Sequence, residues 1–228
     1  MTKARVYLAG IALAAAASAA QADITFTPTL TSDYDFRGYT QTAKDPAMQL
    51  GVDAVSGPIH VGAWGSNVNF GSSSTELDFV ADYTFGSDDS FFKTNTGLVY
   101  YTYPGAYTTG SYPEIWVSLS HGWFSVAEHY SWDWAGLGTD ANYIEGNLSI
   151  PLGDSGFGVS LHGGYSSGQY WDTDDYTDYS IGVTKSFGAF NFALKYVDSN
   201  ATYDKSTDVF SADGRAILSV STTLPWAK

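Results

Sequence analysis

The chain has 228 residues, with 24 acidic against 10 basic side chains, a formal charge of −14 and no cysteine. That balance argues against a nucleic-acid-binding face, and the missing thiols exclude a disulfide framework and a thiolate metal site. After the first 22 residues no stretch of ~18 consecutive apolar residues occurs, so helical membrane spans are excluded and any insertion must be as a barrel.

The N-terminal segment reads as a secretory signal peptide. Lys3 and Arg5 form a charged start, residues 6–17 an apolar run, and Ala20-Gln21-Ala22 a small-residue cleavage site ending before Asp23. Its removal takes the formal charge to −16 and leaves residues 23–228 as a single domain.

From there the chain alternates apolar and polar residues with a period of two, the pattern of half-buried strands. Ile24, Phe26, Leu30, Tyr34 and Phe36 oppose Thr25, Asp33, Asp35 and Arg37; Met48, Leu50, Val52 and Ala54 oppose Gln49 and Asp53. In TELDFVADYTFG (residues 75–86) Leu77, Phe79, Ala81, Tyr83 and Phe85 oppose Glu76, Asp78, Val80, Asp82 and Thr84. A face with three carboxylates is no protein core. Ile115, Val117 and Leu119 oppose Glu114 and Ser118; Ile144, Leu148 and Ile150 oppose Glu145 and Asn147; Phe157, Val159 and Leu161 oppose Ser160 and His162. Tyr179, Ile181 and Val183 oppose Ser180 and Thr184; Phe190, Phe192, Leu194 and Tyr196 oppose Asn191 and Lys195; Ala216, Leu218, Val220, Leu224 and Trp226 oppose Arg215 and Ser219. Segments 59–70, 91–103 and 123–134 are strands whose facing the pattern leaves open.

The connections sort by parity. Residues 56–58, 86–90, 121–122, 153–156 and 187–189 are tight; residues 38–46, 71–74, 104–111, 135–141, 167–176 and 199–213 are longer and polar. Short turns on one side and long loops on the other define an up-and-down transmembrane β-barrel. The expected fold is therefore all-β, an antiparallel barrel of about twelve strands with short periplasmic turns and longer extracellular loops. Ten or fourteen strands stay open, as does inward folding of residues 199–213.

Aromatic residues cluster at the strand ends. Tyr101, Tyr103, Tyr107 and Tyr112, then Trp132, Trp134 and Tyr143, then Tyr165, Tyr170, Trp171, Tyr176 and Tyr179 flank long loops and are expected to form an outer interfacial girdle. Phe85, Phe91, Phe92, Trp123, Phe124, Phe157, Phe187, Phe190 and Trp226 flank short turns and are expected to form an inner one. The alternative is that strands simply favour aromatics. Lys185 has the parity of the lipid face close to a short turn, from which its amine can snorkel.

The segments SDYDFRG (32–38), VGAWGSNVNFG (61–71), TELDFVADYTFG (75–86), VYYTYPG (99–105) and DYTDYSIGVTKSFG (175–188) resemble the TorF-type porins, with similarity over essentially the whole chain after residue 22. The resemblance implies an outer-membrane barrel of a Gram-negative bacterium, in contact with outer-membrane lipids, lipopolysaccharide and the outer-membrane insertion machinery. Such barrels commonly finish on an aromatic residue, whereas here Trp226 is followed by Ala227 and Lys228.

If the barrel is a pore, its inward charges carry the function. By alternation Asp33, Asp35, Asp53, Glu76, Asp78, Asp82, Glu114 and Glu145 line it, with Arg37, Lys195 and Arg215 as the positive charges. An acidic lumen favours cations over anions. The plainer reading is that these charges pair and fill the interior, since ~8 strands leave no path and ~16 leave a channel.

Other functions find less support. Asp172, Asp174, Asp175 and Asp178, and Asp204, Asp208 and Asp213, lack the Gly and terminal Glu of a Ca²⁺ loop and read as solvated charge, so neither a metal nor a cofactor is expected. No nucleophile elbow, metal-type His pair or P-loop is present; Glu128 and His129, adjacent on a strand, point to opposite faces, and only His162 with an inward carboxylate is conceivable as a catalytic pair. A secreted aromatic-rich binding sandwich would not sort its turns by length. The reading is a non-enzymatic, porin-like barrel passing small polar or cationic solutes. The alternative is a small barrel without an open pore, structural, ligand-binding or lipid-modifying. Monomers and homo-oligomers share this strand pattern.

Overall fold

The computed structural model describes residues 22–70, 73–86, 89–106 and 110–226. The expected signal peptide, apart from Ala22, lies outside the described residues, as do Tyr107 and the final Ala227 and Lys228.

All twelve expected strands form, and they close into one antiparallel barrel. The wall is β1 (Asp23–Thr31), then, after a small hairpin of β2 (Asp35–Phe36) and β3 (Tyr39–Thr40), β4 (Ala47–Ser56), β5 (Ile59–Asn67), β6 (Thr75–Phe85) and β7 (Lys93–Thr102). It continues through β8 (Tyr112–His121), β9 (Phe124–Ser131), β10 (Ala141–Pro151), β11 (Phe157–Ser167), β12 (Tyr176–Phe187), β13 (Phe190–Ser199) and β14 (Arg215–Thr222). Each strand pairs with its chain neighbours, and β1 closes the ring by pairing with both β4 and β14. The closing seam runs over Thr29 to Thr31 against Ser219 to Ser221 and resumes as a bridge between Phe26 and Leu224. Between them lies Pro28, which has no N–H to donate to the ladder.

Three of the short turns are two-residue hairpins led by glycine. Gly57, Gly122 and Gly188 have φ of 58°, 56° and 59°, the positive values that primed turns require and that match the twist of paired strands. They fix register, and register fixes which face is apolar.

Outside, Leu77, Phe79, Tyr83 and Phe85 of β6 are exposed, as are Ile115, Val117 and Leu119 of β8 and Ile181 and Val183 of β12. Soluble proteins rarely expose apolar patches beyond a few hundred Å²; this belt runs round the whole barrel. The three strands of undetermined facing resolve by register. His60 lies opposite Asp82, Trp64 opposite Asp78 and Ser66 opposite Glu76, so the even residues of β5 face inward. Asn95, Val99 and Tyr101 of β7, and Ala127, His129 and Ser131 of β9, face the same way, while Glu128 is exposed on the outer wall. The Lys185 ammonium donates to the Ser155 carbonyl in the adjacent short turn, 2.6 Å away, and lies over the Phe157 ring.

One expected facing is wrong. Tyr34 and Phe36 do not continue the lipid face of β1, because the strand ends at Thr31 and the chain turns into the barrel. There Tyr34 packs edge-on against Trp64, ring centres 5.2 Å apart, and Phe36 edge-on against Tyr101 at 5.9 Å.

Inside the wall, large side chains sit over glycines. A Cβ on Gly97 would lie 2.5 Å from Asp82 Cβ and 2.6 Å from the Trp116 ring. Gly97→Val is therefore expected to destabilise the barrel by about 1–3 kcal/mol, measured as a lower urea midpoint for loss of the heat-modifiable gel band. An unchanged midpoint would show that the β6 backbone at Ala81 and Asp82 shifts along with the Trp116 ring to make room.

Candidate functional site

The first long loop enters the barrel and defines the site. Its hairpin turns on Arg37 and Gly38, both at positive φ (50° and 86°), with Phe36 paired to Tyr39. Gly38 is pressed against the wall, where a Cβ would come within 2.9 Å of both Asp178 Cβ and Ser199 Cβ. Arg37, a non-glycine residue at positive φ, is held there by its side chain. Its guanidinium donates two parallel hydrogen bonds to Glu114 of β8, at 2.8 and 2.9 Å, and Glu114 is 1% exposed. The same guanidinium stacks on Tyr143 at 4.2 Å and on Phe36 at 4.7 Å. Such a bidentate charge-assisted pair is the strong kind.

A second tie fixes the base of the hairpin. Arg215 of β14 reaches Asp33 at 2.5 Å and Asp35 at 2.6 Å, and donates to the Gly38 carbonyl at 3.0 Å. Lys195 of β13 bonds Asp35 at 3.2 Å. Asp33 Oδ1 also accepts from the hydroxyls of Thr40 and Thr42 at 2.5 and 3.0 Å. The last long loop packs behind: the Thr40 N–H donates to the Ser211 carbonyl, the Tyr39 hydroxyl to the Thr202 carbonyl, and Phe210 stacks on Phe70.

The hairpin divides the interior. On its short-turn side lies a cavity of about 410 Å³ lined by Asp35, Arg37, His129, Glu145, His162 and Lys195, among others. Along its wall acids and imidazoles alternate. His129 lies 3.1 Å from Glu114 and 3.6 Å from Glu145; His162 lies 3.7 Å from Glu145 and 2.9 Å from Asp178, whose carboxylate also accepts from the Tyr143 hydroxyl. Nearer the short turns His60 bridges Asp82 at 2.5 Å and Asp53 at 3.0 Å, and Asn95 links Asp82 to the Trp116 indole N–H.

On the long-loop side lies a second cavity, about 550 Å³, whose wall is chiefly aromatic. Burial, then the neighbouring Tyr170 phenol and the Asp174 carboxylate, push the Tyr39 phenol there up to about 12.

The residues read as pore-lining thus fall into groups. Asp33, Asp35 and Arg37 belong to the inserted segment, not to the wall, and are bound to it by Arg215, Lys195 and Glu114. Asp53, Asp82 and Glu145 face inward beside histidines. Glu76 and Asp78 also face inward but are sealed: one Glu76 oxygen accepts from Tyr103, while Glu76 Oε2 and Asp78 Oδ1 have no hydrogen-bond partner among the described residues. Pattern reading missed His60, His129 and Asp178. Asp178 shares the parity of inward Ser180, so the alternation already contained it.

The outer girdle needs correction. Trp132 is exposed on the outer surface, and Trp226, near a short turn, is exposed too. Tyr101, Tyr112, Trp134, Tyr143 and Tyr176 are buried inside the mouth, and Tyr103 and Trp171 pack with them. The reason is parity: Tyr112 lies two residues from inward Glu114, Tyr143 two from Glu145 and Tyr176 two from Asp178.

Residues 14–224 match a family described as a bacterial protein of unknown function, Gcw_chp. The chain belongs to that family. No curated protein sequence matches it. Among solved structures, a KdgM porin in complex with disordered oligogalacturonate is similar at TM-score 0.56 and 10% identity, covering 87% of this chain and 97% of that one. A second KdgM porin structure gives 0.54 at 10% identity, with 87% and 97% covered. A structure from a study of in-meso crystallization of membrane proteins gives 0.53 at 8% identity, with 87% and 83% covered. At these identities the likeness is one of fold: this Gcw_chp chain has a porin-like barrel.

Arg37→Ala leaves Glu114 buried without its guanidinium and is expected to cost about 3–5 kcal/mol, the range for a broken buried pair. Arg37→Ala with Glu114→Ala should cost less than the two single changes together, with a coupling of about 1–3 kcal/mol. Urea unfolding in micelles, followed by tryptophan fluorescence, measures both. Strict additivity would mean that the pair does not form.

Proposed function

We propose that the protein is an outer-membrane porin-like barrel, exported with loss of residues 1–22, that admits small polar and preferentially cationic solutes by passive diffusion. Its apolar belt would meet lipid and its long-loop rim the lipopolysaccharide layer. The TorF-type resemblance carried by WGSN and YYTYPG agrees with this reading.

The observation that carries it is the state of the lumen charges. Arg37, Lys195 and Arg215 are each committed to a carboxylate. Asp53, Asp82, Glu145 and Asp178 have only histidine, amide or phenol partners among the described residues. The interior is therefore net negative, which lowers the energy of a cation inside a low-dielectric wall. The oligogalacturonate named with KdgM is a polyanion, and this lumen is built with the opposite preference.

The hairpin supports a second reading, a barrel held closed until residues 32–46 move. Planar-bilayer recording of the refolded protein separates the two. Under a KCl gradient the open reading expects discrete steps and a cation-side reversal potential. Asp53→Asn with Glu145→Gln, the more exposed lumen acids, should move that potential toward zero, whereas changing the sealed Glu76 and Asp78 should move it less. A conducting barrel whose potential ignores the first pair would place selectivity elsewhere. Gly38→Val, which unseats the hairpin from Asp178 and Ser199, should raise the step size; a silent protein made conducting by that change establishes the closed reading.

A further inference from the structure

The cavity on the long-loop side has a composition that the diffusion reading does not explain. At about 550 Å³ it falls within the range of small-molecule sites. Polar solutes crossing a mouth need no aromatic wall, yet one is built here from six separate segments.

Tyr39, on the hairpin, lies nearly parallel to Trp171, 12° between planes and 6.2 Å between centres. Tyr176 meets both edge-on, at 5.3 Å from Tyr39 and 4.8 Å from Trp171, and Tyr170 meets Trp171 edge-on at 4.8 Å. Trp134 and Phe210 bring in the loops after β9 and β13. The rings brace one another, so the wall is pre-organised and little ordering is left for binding to impose.

Among the described residues one charged side chain lines this cavity, Asp174, and no Lys or Arg does. Asp174 is exposed, and its carboxylate makes no hydrogen bond or ion pair among the described residues. Of the cations in the neighbouring segments, Arg37 binds Glu114 below the floor, Lys44 binds Asp208 and Asp213, and Lys205 lies over the Tyr203 ring. Ring faces carry the negative side of the aromatic quadrupole and attract weakly hydrated cations, most of all quaternary ammonium groups. An anion finds no donor charge here, and a neutral apolar molecule gains nothing from Asp174.

We propose that the long-loop mouth is a binding site for organic cations, with an ammonium group held among Tyr170, Trp171 and Asp174 and an apolar body against Tyr39 and Phe210. The site lies directly above the Phe36–Arg37 tip, which also borders the lower cavity, so the bound cation would sit at the entrance to the acidic lumen. This rests on the cation-preferring reading and names the solute class for it.

The test is calorimetric titration of the refolded mature protein in detergent with three probes: benzyltrimethylammonium, benzyl alcohol and benzenesulfonate. The expected result is saturable binding of the ammonium at least about tenfold tighter than either other probe. Asp174→Asn and Tyr170→Ala should each weaken it several-fold, while outward-facing Trp132→Ala leaves it unchanged. Both test positions lie in a loop, and heat-modifiable migration confirms that the variants remain folded. Equal binding of all three probes, or ammonium binding indifferent to both substitutions, overturns the site. Conductance, read separately, keeps the two ideas apart: probe binding to a barrel that never conducts retains the site and rejects diffusion, and conduction without binding rejects the site alone.

Discussion

The bidentate bond between Arg37 and Glu114 is the constraint on which the interior depends. A carboxylate as buried as Glu114 is costly unless a cation meets it with good geometry, and a guanidinium inside a barrel is costly on the same terms. Each supplies what the other lacks. The bond also holds Arg37 in a backbone conformation that a non-glycine residue ordinarily avoids, at a cost of about 1–3 kcal/mol. With the Arg215 contacts to Asp33 and Asp35 it fixes the hairpin at both tip and base. An aromatic cavity above and an acidic one below exist as separate spaces because the hairpin stands between them.

That arrangement also settles how charge is distributed. Had the three cations been free, the lumen would have presented alternating signs and little preference. Each is instead consumed in positioning the inserted segment, and the acids left over are interleaved with histidines. Their ring nitrogens meet the hydrogen-bond needs of these acids without drawing on a Lys or Arg. The three cations that position the hairpin are the ones withdrawn from the lumen field, so a change of Arg37, Lys195 or Arg215 that loosens the hairpin also alters that field.

The barrel was legible in the sequence because its signal is redundant. Nine of the twelve stretches repeat one alternation, and turn lengths repeat a second, independent one. Facing was illegible only where the alternation lapses. In IHVGAWGSN of β5 the outward positions include Ala63 and Gly65 and the inward ones Trp64, so size and polarity no longer sort by face, and only pairing with β6 decides. The inserted hairpin was hidden for the opposite reason. Asp33, Asp35 and Arg37 alternate with Tyr34 and Phe36 as a wall strand would, and the Arg37-Gly38 turn was the one local sign that the chain reverses there. Long-range partners such as Glu114, 77 residues away from Arg37, leave no trace in a local pattern.

The aromatic residues illustrate the limit most clearly, because one residue type answers two physical needs. An amphipathic ring is favourable at a membrane interface, and Trp132 is on the outer surface. A ring is also an efficient filler for a barrel too wide for single side chains to close and too narrow for a clear channel, which is where twelve strands fall. Proximity to a long loop cannot distinguish the two, since both the interface and the mouth are there. Parity can: Tyr112, Tyr143 and Tyr176 are each two residues from an inward acid and could not reach lipid without turning that acid outward with them. Alternation, followed consistently, outranks residue type, and it assigns these three tyrosines to the mouth.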